Sequence, residues 1–162
     1  MGRIRQEDRR DLVLGFVTLM TMMGAHALVE TARDTLFLSR LDAEQLPWAY
    51  LCIAGLSLAT VRANTWMLER TRDKRRLLAA SLVVGGLVHA GFYLLLGGAR
   101  EGMLFAFYVW TGHLASILVV QFWLLLDDVV TVTEAKRLFG PIAAGGVVGA
   151  TAGSAAAAQL LA

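Results

Sequence analysis

His26, Glu30 and Asp34 fall at i, i+4 and i+8, so on a helix they line one face. Arg33 lies three residues after Glu30, within reach of it. The group closes a long apolar run, Leu12–Ala32, and a charged side chain near mid-membrane costs about 2.5–3.5 kcal/mol on insertion scales. A position near the outer end of the run would reduce that cost by snorkelling. Two readings follow. The charges form an interfacial Glu–Arg pair that closes the helix, or they form a polar face turned into an aqueous cavity. In the second, Arg33 would attract an anion, and Glu30 and Asp34 would hold it or exchange partners with it.

A second charged set sits in Phe122–Pro141, FWLLLDDVVTVTEAKRLFGP. Asp127, Asp128, Glu134, Lys136 and Arg137 crowd a short connection between two apolar runs. A plain anchor has no need of such a mixed run there. Arg62, in ATVRANTW, must find an acid, a carbonyl or water, and Asp127 or Asp128 are candidates. Such a pair would be a packing bridge or a gate. In the run before this hinge, His113 and Gln121 are eight apart and share a face, between Trp110 and Trp123. They read as a helix–helix hydrogen bond or a ligand contact, and His89 as a packing residue. Beyond the hinge, Gly145, Gly149 and Gly153 repeat every fourth residue among Ala and Ser. This small-xxx-small face lets another backbone come close, and its partner is expected outside the chain.

These residues need membrane-spanning elements to hold them. The chain has 162 residues, 57% hydrophobic and 17% charged, where a soluble domain carries about 25% charge. The charges cluster between five apolar runs near residues 12–32, 47–68, 77–98, 103–126 and 141–162. At about 1.5 Å per residue, each run crosses a hydrocarbon core of roughly 30 Å as a helix. The fold class is therefore all-α, a single membrane domain of about five spans. Arg3, Arg5, Arg9 and Arg10, the basic loop Glu69–Arg76, and Lys136 with Arg137 fall on one side. Only Arg33, Arg40 and Arg100 fall on the other, so the N-terminus is placed in the cytoplasm. Ala25-His26-Ala27 could mimic a signal-peptidase site, but Glu7, Asp8 and Asp11 and four further runs oppose cleavage.

Composition excludes other classes. The net charge of +2, with no basic face bearing exposed aromatics, speaks against nucleic acid. One cysteine, Cys52, cannot form an internal disulfide and reads as a small buried apolar residue. The three histidines lie in three separate runs without metal-ligand spacing. No nucleophile–base pair or cofactor loop is visible, so neither an enzyme nor a cofactor is expected.

Two segments together resemble the ATP/ADP translocase family of bacterial and plastid nucleotide transporters, of the major facilitator type. The first is ARDTLFLSRLDAEQLPWAY, residues 32–50. Here Arg33-Asp34-Thr35-Leu36 stands where the family has a lysine-Asp-Thr-Leu motif, and Ala43-Glu44-Gln45-Leu46-Pro47 matches a Gly/Ala-Glu-x-x-Pro segment. The second comprises Phe122-Trp123, Asp127 and Glu134-Ala135-Lys136-Arg137-Leu138-Phe139. The resemblance implies a transporter of two six-helix halves in a bacterial inner membrane, working by alternating access on an anionic solute of the nucleotide class. It places Arg33 at the nucleotide-recognising lysine, and gives Asp127, Asp128, Glu134, Lys136, Arg137 and Arg62 a cytoplasmic gating role. Five spans are fewer than one such half. The chain is then a fragment lacking its second half, or a reduced relative serving as an accessory or scaffold subunit of a larger membrane complex.

Overall fold

The computed structural model describes residues 6–71, 73–95 and 100–161. They form five helices: α1 (Gln6–Arg40), α2 (Leu46–Thr71), α3 (Lys74–Leu95), α4 (Glu101–Val129) and α5 (Val132–Leu161). A short 3₁₀ turn, Ala43–Gln45, precedes α2, and no strand occurs among the described residues. All five helices are long and apolar enough to cross a membrane. Apolar side chains that find no core can face lipid, and only a helix or closed barrel satisfies its own backbone there. Cys52 belongs to this exposed population on α2, contrary to the buried position expected for it.

The helices start where the sequence supplies caps. Asp73 accepts hydrogen bonds from the Arg75 and Arg76 amides and an ion pair from Arg76 Nε at 3.0 Å, opening α3. Thr131 opens α5: its backbone N–H and its hydroxyl both donate to Glu134 Oε2, at 2.9 and 2.7 Å. The return of the Glu134 side chain to the Thr131 amide is the acidic half of a capping box, with the Thr131 hydroxyl donating to the same carboxylate. It moves the start of α5 to Val132, ahead of the expected start at Pro141, which instead lies inside the helix. The connection after α4 therefore shrinks to Val130 and Thr131. Pro141 forgoes one backbone hydrogen bond, while Leu138 and Ile142 beside it are fully buried. Glu134→Ala is expected to lower stability by about 1 kcal/mol and speed amide exchange over residues 132–136. Unchanged exchange there would show that the cap is dispensable.

Two compact units make up the chain. One takes in Met1–Ala32 and Trp123–Ala162, the other Arg33–Phe122. In the first unit, α1 and α5 run in the same direction at very close range. A Cβ added to Gly145 would stand 2.6 Å from the Phe16 carbonyl oxygen. Added to Gly149 or Gly153 it would fall on the carbonyl of Met20 or Gly24. The contacts advance by four residues on both helices, the signature of a parallel small-xxx-small crossing. The glycine face, expected to seek a partner outside the chain, is thus occupied by α1. Nearby, Trp123 packs on Phe139, ring centres 5.3 Å apart.

In the second unit α4 is the hub. Alongside it α2 runs parallel, with Tyr50 against Tyr108 and Ile53 against Gly112. Running the other way, α3 sets His89 and Phe92 on Phe107 and Gly85 under Leu114. His89 Nδ1 bonds the Gly85 carbonyl of its own helix. The end of α1 is also antiparallel to α4, with Phe37 packed on Phe105 and Tyr108. Phe37, Leu41, Ala49, Leu104, Tyr108 and Val109 form the apolar core of this end.

Candidate functional site

Arg33 is the centre of the site. A guanidinium can leave water only if its donors and its charge are met. Here Asp34 Oδ1 accepts from Nε at 3.0 Å and from Nη2 at 2.9 Å. Nη1 donates to Thr111 Oγ1 at 3.4 Å, and the guanidinium carbon lies 4.0 Å above the Tyr108 ring. Tyr108 is fixed in turn. Its hydroxyl donates to Tyr50 Oη at 3.3 Å, and its carbonyl accepts from the Thr111 hydroxyl at 2.9 Å. A Cβ on Gly112 would meet Ile53 Cδ1 at 2.7 Å and Arg33 Nη1 at 3.3 Å, so this glycine makes the room both side chains fill.

The two charges of the pair sit differently. The Arg33 side chain is 4% exposed, that of Asp34 46%. The ion pair therefore has a sealed cationic end and an accessible anionic one. Its depth also differs from expectation. Thr111 lies ten residues past the start of α4, about 15 Å along its axis. Arg33 is held deep in the helix layer rather than snorkelling at the outer end, because α1 continues to Arg40.

His26 and Glu30 belong to the other unit, where they pair along α1 at 3.5 Å. Asp127 and Asp128 are exposed on the last turn of α4. Glu134 serves the α5 cap, and Lys136 and Arg137 are exposed in the first turns of α5 rather than on a loop. Arg62 is exposed on α2, in the second unit. His113 and Gln121 do share a face. His113 Nε2 lies 2.9 Å from Thr60 Oγ1, and Gln121 Nε2 donates to Asn64 Oδ1 at 2.9 Å. Both therefore tie α4 to α2.

Sequence reasoning passed over Tyr108, Thr111 and Gly112, which complete the Arg33 site, and Thr60 and Asn64, which receive the α4 polar groups. Asn64 alone carried a signal, a buried-type amide within an apolar run. No family model matches the chain, and no curated protein or solved structure is detectably similar to it. The class rests on the elements themselves: five alternating helices of membrane length make this a multi-pass α-helical membrane protein.

Proposed function

We propose that the chain is the N-terminal helix bundle of a translocase-like transporter of the major facilitator type, in a bacterial inner membrane. Its solute is an anion of the nucleotide class, bound at Arg33 and moved by alternating access. The observation that carries the reading is the buried cation held through one oxygen of a half-exposed carboxylate. A phosphate could offer a pair of oxygens to the Nε–Nη2 edge that a single Asp34 oxygen now occupies, and guanidinium suits such a pair geometrically. Exchange of Asp34 for the solute would couple binding to rearrangement of α1. Alternating access also needs a second set of helices, from the same polypeptide or another copy.

The test is uptake of labelled ATP or ADP into proteoliposomes holding the complete transport unit. Arg33→Ala is expected to abolish uptake. Asp34→Asn, which removes the competing charge, is expected to tighten nucleotide binding several-fold. Unchanged uptake with Arg33→Ala would end the carry-over from the translocases.

A second reading has its own support. Arg33 already has a carboxylate, a ring and a hydroxyl as partners, as a purely structural cation would. The chain is then an accessory or scaffold subunit. Stoichiometric co-purification with a non-transport complex, with no nucleotide uptake, would select it.

A further inference from the structure

The hairpin that joins α2 to α3, Glu69–Arg76, holds five basic residues against two acids. Asp73 is spent: it accepts from the Arg75 and Arg76 amides and pairs with Arg76 Nε at 3.0 Å. Glu69, the other acid, is exposed. The Arg70 and Arg75 side chains are exposed too, and meet no carboxylate among the described residues. Arg70 is placed by a ring. Its guanidinium carbon lies 4.0 Å from the centre of the half-exposed Trp66 indole. Stacking uses the face of a guanidinium and leaves the N–H donors of its edge for an anion. Trp favours the boundary between headgroups and hydrocarbon, which sets this cation at phosphate level.

Next to the hairpin, α2, α3 and α4 leave between them a half-open groove of about 230 Å³. Met67 borders it from α2, Leu77, Ser81 and Val84 from α3, and Leu114 and Ile117 from α4. Its walls are apolar apart from the Ser81 hydroxyl and the Trp110 indole N–H. The groove begins at the basic end. Met67 is one turn from Arg70 on one face of α2, and Leu77 one turn from Lys74 on one face of α3. From Leu77 the lining runs to Gly85, about 12 Å along α3.

Size and charge together select the occupant. An apolar cavity of about 150 Å³ takes up one benzene, so this groove has room for a run of about nine chain carbons and none for another helix. The excess positive charge at its mouth favours an anionic head. A free phosphate has no use for the groove, and a plain hydrocarbon none for the arginines. We propose that this hairpin binds one anionic phospholipid, its phosphate at Arg70 within the field of Arg75 and Arg76, and its acyl chain in the α2–α3–α4 groove. Trp110 also borders a second apolar groove that continues toward Leu56 and Phe92, so a longer chain has apolar wall ahead of it. The hairpin is then a lipid-recognition element, independent of any solute at Arg33.

The test is native mass spectrometry of the purified, delipidated protein, titrated with phosphatidylglycerol or phosphatidylcholine of the same acyl chains. Phosphatidylglycerol is expected to bind roughly tenfold tighter. Arg70→Gln combined with Arg75→Gln is expected to remove that preference and leave the fold intact, since both side chains are exposed. Ala80→Phe, which fills the groove from α3, is expected to weaken both lipids several-fold. Glycerol phosphate, a head without chains, is expected not to compete. Equal affinity for the two lipids, or a preference that survives the arginine substitutions, would overturn the proposal. So would binding that Ala80→Phe leaves unchanged, or that glycerol phosphate displaces, because the head alone would then account for it. A dimer that takes up neither lipid would overturn it as well, by giving the groove to a second copy.

Discussion

Gly149→Leu should separate α1 from α5 and leave little monodisperse protein after extraction. The added Cβ alone would coincide with the Met20 carbonyl, so no rotamer relieves the clash and the backbones must part. Membrane helices gain little from hydrophobicity against each other and depend on close packing. Overpacking of an ordinary core costs about 1–3 kcal/mol, and here the obstacle is backbone rather than a side chain. Gly153→Leu meets the Gly24 carbonyl and should behave the same way. Gly146→Ala is the internal control, since its Cβ would meet only Leu19 and Met23 side chains at 3.2 Å and beyond. It should cost far less than Gly149→Ala. Gly55→Ala meets nothing within 4 Å and should gain roughly 0.5–1 kcal/mol from helix propensity. Thermal melts of the five variants in one detergent give the ranking. Equal melting of Gly146→Ala and Gly149→Ala would show that the crossing is looser than described.

Loss of the Arg33 guanidinium should be the other large effect, and its stability component can be read apart from transport. Removing one partner of a buried ion pair costs about 3–5 kcal/mol when the other is left buried. Asp34 is half exposed, so the lower end applies to Arg33→Ala, roughly 3 kcal/mol including the space left above Tyr108. Arg33→Lys keeps the charge but loses the planar stack and one of the two bonds to Asp34 Oδ1. It should recover about half of that loss. Tyr108→Leu removes the ring under the cation and should cost roughly 1–2 kcal/mol with Arg33 present and much less in its absence. A double-mutant cycle over Arg33 and Tyr108 measures this coupling, and a coupling of zero would remove the stack from the account.

The five helices were legible in the sequence because lipid imposes one rule on every span: enough consecutive apolar residues to cross. The glycine spacing of α5 was equally plain, since a four-residue repeat of small side chains has meaning only on a helix. The identity of its partner was not, because nothing local in Phe16, Met20 or Gly24 marks them as the opposing face. Helix ends were misjudged where a cap lay inside a charged run. Thr131 and Glu134 carry the capping-box spacing, yet Pro141 is the louder signal for a start. The depth of Arg33 was hidden for a related reason. Arg33, Asp34 and Arg40 look like a loop in a hydropathy reading, but α1 continues through them because α4 supplies Thr111 and Tyr108 more than seventy residues away. Such long-range partners leave no trace in the spacing of either segment.

Gly112 has a consequence for how this sequence can change over time. Ile53 and the Arg33 guanidinium share the space its missing side chain leaves open, one at 2.7 Å and the other at 3.3 Å from where a methyl would stand. Three positions on three helices therefore draw on one fixed volume. A methyl gained at 112 must be surrendered at 53, where a branched side chain can shorten, because position 33 has no shorter cation that still reaches Tyr108, Thr111 and Asp34 together. Among descendants that keep the cation, the histories of positions 53 and 112 are bound to each other, although neither residue carries charge.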